Sequence, residues 1–220
     1  TLFDTSSDVK ARLRRDINDC WKDIYHILGQ GKTNYLPDDE FLDAHFHLYF
    51  CNQINDIWRA YRQRDALYFG SNVALYNYLL EDFFVASKIP EGFLCTNDII
   101  EYIDSLSECI KIWFVINNPE KSGHTTEVVE YIRKINYLLS PKRPGPVRII
   151  GGLRVDLHKV LLLACLQKCT DELTLLKLLK SFEKFLFIVS FIPAECFERN
   201  YSIIDLDVTD ILRKLNKGDM

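Results

Sequence analysis

The stretch TNDIIEYIDSLSECIKIWFVINNP, residues 96–119, decides the fold class. Ile99, Ile103, Leu106, Ile110 and Trp113 recur every three or four residues, so a helix lays them along one stripe. Asp98, Glu101, Asp104 and Glu108 follow the same spacing on the other side, which is the pattern of a solvated face. Asn117, Asn118 and Pro119 end the segment, because proline cannot continue a helix.

The same period extends outward in both directions. Downstream, Thr125 caps a helix carrying Val128, Ile132, Ile135 and Leu139. A buried helix is expected near 154–169, then a long one from Asp171 to about Ile192, capped by Thr170 and stopped by Pro193. A short helix near 207–216 closes the set. Upstream, Val9, Leu13, Ile17, Cys20, Ile24 and Ile27 mark a first helix that Ser7 or Asp8 can cap and Gly29 and Gly31 stop. Pro37 opens a second, where Asp38, Asp39 and Glu40 favour the positive N-terminal end. Its body, Phe41 to Phe50, is apolar on most faces and therefore central. Further helices are expected over about 57–68 and 73–85. Val147 to Ile150 is the one candidate strand. The expectation is an all-α irregular bundle of about eight or nine helices, forming one helical domain over 1–220. The segment 141–152, rich in proline and glycine, is its candidate hinge.

Composition excludes whole classes of function. With 48% hydrophobic and 26% charged residues, nine glycines and seven prolines, the chain is neither disordered nor collagen-like. Net charge is −4, so no global basic field advertises a polyanion. Charge is nevertheless uneven: residues 70–140 carry net −5 and residues 141–192 net +5. These segments can attract each other, or the second can face a polyanion. The uncharged run Phe185–Ala194 spans ten residues, whereas a bilayer helix needs about 20, so no membrane is expected. Seven cysteines, an odd number scattered through apolar stretches, read as free thiols in a reducing cytoplasm.

Motifs that carry chemistry are weak. Gly29-Gln30-Gly31-Lys32-Thr33 resembles the tail of a phosphate-binding loop, but His26 stands where the first glycine belongs and the loop follows a helix. It reads as a helix stop. His47 and Cys51 share a helix face while His45 points about 200° away, which gathers two ligands where zinc needs three or four. Cys165 and Cys169 share a stripe with His158, but seven residues put His158 about 10 Å from Cys165. The histidines are therefore assigned to the core, and neither metal nor cofactor is expected. No nucleophile elbow, His-Glu-x-x-His or Cys-x-x-Cys pattern is present, so the chain by itself is not expected to be an enzyme. Two basic groups are candidate nucleic-acid contacts: Arg59 and Arg62 beside Trp58 and Tyr61, and Lys142, Arg143 and Arg148 on the proline-glycine loop.

The order of several segments resembles a known family. Asp38-Asp39-Glu40-Phe41-Leu42-Asp43-Ala44-His45-Phe46-His47-Leu48-Tyr49-Phe50 is similar to an acidic-aromatic segment of GmrSD-type modification-dependent restriction nucleases. Trp21-Lys22-Asp23-Ile24 also fits, as does Ile99 to Leu106 followed by Trp113 and Asn118-Pro119. Leu175 to Phe187 resembles a leucine-rich family helix, with Lys184 where the family commonly has arginine. The resemblance runs from about Trp21 to Ile188 and implies the helical region of these proteins. There it lies between a ParB-like nucleotide-hydrolysing domain with an Asp-Gly-x-Gln-Arg motif and, in many members, an HNH nuclease domain. Neither set of catalytic residues has a counterpart here. The implied role is a non-catalytic module of a restriction or anti-phage defence protein, excised from a larger chain. Its implied partners are the flanking domains, DNA and a second copy of itself. The alternative is a free-standing helical protein–protein interaction domain.

Overall fold

The computed structural model describes residues 7–29, 38–53, 57, 78–85, 95–139, 155–189, 211, 213 and 214. Among them the protein is all-helical and contains no strand. Six α-helices are delimited among the described residues: α1 (Ser7–Gly29), α2 (Asp38–Tyr49), α3 (Thr96–Asn117), α4 (Thr126–Leu139), α5 (Val155–Lys168) and α6 (Glu172–Val189). A π-helical turn at Tyr78–Phe83 and a 3-10 turn at Pro119–Lys121 complete them. The expected count was about eight or nine. The helix expected over 57–68 and the candidate strand at 147–150 lie almost wholly outside the described residues, as does the hinge at 141–152. Of the expected 207–216 helix, Ile211, Arg213 and Lys214 are described, and they are helical.

The chain divides into two compact units, Thr1–Ile110 and Lys111–Met220, with the boundary inside α3. In the first unit, α1 buries Leu13, Cys20, Ile24 and Leu28, a three-to-four-residue stripe. The Cys20 thiol donates to the Ile103 carbonyl at 3.7 Å, joining α1 to α3. From Phe41 to Phe50, α2 and its following turn bury every side chain except Leu42 and Tyr49, which are half-buried. That near-complete burial is what its apolar sequence demands.

The π turn has a specific consequence. The Phe84 amide donates to the Leu79 carbonyl at 2.8 Å, five residues back. This wider turn lets the consecutive Phe83 and Phe84 both face Tyr102, at centroid distances of 6.1 and 5.1 Å. Phe83 also meets Phe50 edge-on at 5.0 Å, and Phe50 meets Tyr78 at 5.4 Å. Edge-to-face pairs of this kind add about 0.5–1.5 kcal/mol each beyond the area they bury.

In the second unit, α5 buries six residues in succession, Val160 to Cys165. A helix covered all round is the centre of its unit. α4 buries Val128, Ile132, Ile135, Leu138 and Leu139, and α6 buries Leu175, Leu179 and Leu186. Paired contacts order these helices. Glu127 meets Lys180 at 2.7 Å, Lys180 lies over the Tyr131 ring, and Glu172 meets Thr125. Residue numbers rise together along both helices, so α4 and α6 run in the same direction. Arg133 pairs with Glu120, and Asn136 donates to the Ile116 carbonyl, so α4 runs back along the end of α3.

Helix ends follow local chemistry. The Asn117 and Asn118 side-chain amides donate to the Trp113 and Phe114 carbonyls at 2.8 and 3.1 Å, and the Phe114 carbonyl also accepts the Asn118 backbone amide at 2.8 Å. α6 begins one residue later than expected. Asp171, rather than Thr170, accepts the Thr174 amide at 2.8 Å and its hydroxyl at 2.6 Å, and a carboxylate at this position also favours the helix dipole.

Candidate functional site

The buried polar groups of the first unit define its candidate site. α2 carries His45, His47 and Asp43, all buried. α3 supplies Tyr102 and Ser105, one helical turn apart. His45 Nε2 and Ser105 Oγ are 3.0 Å apart. The imidazole is enclosed by Tyr102 edge-on at 5.0 Å, Tyr49 stacked at 5.7 Å and Phe41 at 6.3 Å. Its Nδ1 makes no hydrogen bond. Burial among these rings disfavours the imidazolium and pushes the His45 pKa down to about 3. The Tyr49 phenol is raised in turn, first by burial and then by the nearby Glu101 and Asp98.

His47 is oriented differently. Its Nδ1 lies 2.9 Å from the Asp43 backbone carbonyl. A carbonyl can only accept, so Nδ1 carries the proton of that bond. The Asp43 carboxylate is 3.6 Å from the same nitrogen. Both partners sit one turn back on α2, so this pair braces its own helix, whereas His45 reaches across to α3.

These geometries bound the chemistry. A general base works best with a pKa near the operating pH, and it must reach its substrate. His45 is fully buried and titrates near 3, so the His45–Ser105 contact holds α2 on α3 and does not activate the hydroxyl. Both histidines are core residues, as expected from the sequence. Cys51 is also buried, and among the described residues no group of three or more His, Cys, Asp or Glu gathers to hold a metal.

Other positions singled out in the sequence separate clearly. Glu101, Asp104 and Glu108 are exposed, as a solvated face requires. Asp98 is half-buried and accepts the Cys95 amide at 2.7 Å, which lowers its pKa. Cys165 is buried and its thiol is pushed up to about 12, which leaves it protonated and inert. The candidate nucleic-acid contacts Arg59, Arg62, Lys142, Arg143 and Arg148 all lie outside the described residues.

Sequence reasoning missed three features. Tyr102 and Ser105 were not identified as partners of His45, although Tyr102 lies four residues before Leu106 on the buried stripe. Glu172 was also missed: its carboxylate accepts the Thr125 amide at 2.8 Å and lies 3.7 Å from His124 Nδ1, so the first residue of α6 caps α4. Its pKa is lowered, chiefly by that amide.

No protein-family model, curated protein or solved structure matches this chain. Among the described residues no helix is long and apolar enough to cross a membrane.

Proposed function

We propose that this chain is a non-catalytic helical module of a restriction or anti-phage defence protein, coupling a nucleotide-hydrolysing domain to a DNA nuclease. The supporting observation is a contact between two segments that carry the family resemblance. Residues 38–50 and 99–106 pack together through His45–Ser105 and through Tyr49–Tyr102, whose centroids are 5.0 Å apart. A third such segment, 175–187, supplies the buried Leu175, Leu179 and Leu186. The residues behind the resemblance therefore build cores, as a structural module requires.

On this reading the module works in the cytoplasm beside its flanking domains. It contacts DNA through Lys142, Arg143 and Arg148, with Arg59 and Arg62 as a second group, and it can self-associate. A free-standing protein–protein interaction domain is the second reading. It is favoured by the exposed Leu173, Phe185, Phe187 and Ile188 of α6.

The gene sequence on either side separates the two. An Asp-Gly-x-Gln-Arg motif upstream or an HNH pattern downstream supports the first reading, and an open reading frame with neither overturns it. The purified chain should also hydrolyse neither nucleotides nor DNA. Turnover abolished by a single substitution in this chain would contradict a non-catalytic role.

A further inference from the structure

We draw no further inference here: the strongest candidate, the exposed apolar patch of Phe185, Phe187 and Ile188 on the last turns of α6, has nothing in the structure to show what covers it.

Discussion

His45 and Ser105, sixty residues apart in sequence, meet side chain to side chain at 3.0 Å in the core of the first unit. The bond joins α2 to α3 inside an aromatic shell, where a polar group without a partner is costly.

A double-mutant cycle measures that contact. Ser105→Ala leaves Nε2 buried without its partner and should cost about 1–3 kcal/mol in urea denaturation. His45→Phe alone strands the hydroxyl in the same way. The double variant should be less destabilised than the sum of the two, because removing both partners removes the unmet group. Strict additivity would show that the bond contributes nothing.

The same residue gives stability a predictable slope against pH. Unfolded, His45 titrates near 6.5, and folded it titrates at about 3. A group whose folded pKa is depressed favours the folded state most above its unfolded pKa, so its contribution falls as pH drops from 6.5 toward 3. The slope from this group is at most about 1.4 kcal/mol per pH unit. In denaturation between pH 4.5 and 7.5, His45→Phe should lose less stability on acidification than the wild type. Parallel curves would contradict a buried, neutral His45.

Glu172 predicts a local effect. Its carboxylate accepts the Thr125 amide, and its pKa is lowered in the folded state. A lowered carboxyl contributes stability above its unfolded pKa and loses it as pH falls through the folded value. Glu172→Ala should speed hydrogen exchange at Thr125, whereas Glu172→Gln, which keeps an acceptor, should slow it again. Unchanged exchange in the alanine variant would show that water caps α4 equally well.

Core and surface substitutions in the second unit should differ sharply. Ile132 is fully buried, so Ile132→Ala should destabilise by about 2–5 kcal/mol. Tyr137, on the same helix, is 61% exposed, and Tyr137→Ala should cost clearly less than Ile132→Ala. Thermal and urea melts of both variants test the assignment of α4's inner face.

The proposed DNA contact predicts a salt effect. Neutralising Lys142, Arg143 and Arg148 together should reduce the magnitude of the salt slope of DNA binding by about three, roughly one per phosphate contact. If the basic segment 141–192 instead docks against the acidic segment 70–140, the same change lowers stability and leaves DNA binding alone. Titrations at several salt concentrations, beside a melt of the triple variant, distinguish these outcomes.

Thiol reactivity should follow burial. Cys95 is exposed, while Cys20, Cys51, Cys109 and Cys165 are buried. Iodoacetamide labelling read by mass spectrometry should modify Cys95 quickly in the native protein and the other four only after denaturant. Rapid native labelling of Cys165 would contradict its place in the α5 core.

The sequence by itself determined the six described α-helices and, for most, which side faces inward. Val128, Ile132, Ile135 and Leu139 were legible because a helix repeats every 3.6 residues, and Asn118-Pro119 marked an end because proline lacks an amide hydrogen. These are local properties, settled within one or two turns. Tertiary structure decided what each inward face meets. The His45–Ser105 bond and the Glu172 cap of α4 join residues 60 and 47 apart, and no periodicity carries information over that distance. The π turn that aims both Phe83 and Phe84 at Tyr102 is likewise set by the neighbours it packs on. Even the cap of α6 moved from Thr170 to Asp171, because the carboxylate reaches both the Thr174 amide and its hydroxyl. A side chain's spacing reports the face it lies on, but only the folded chain brings its partner to that face.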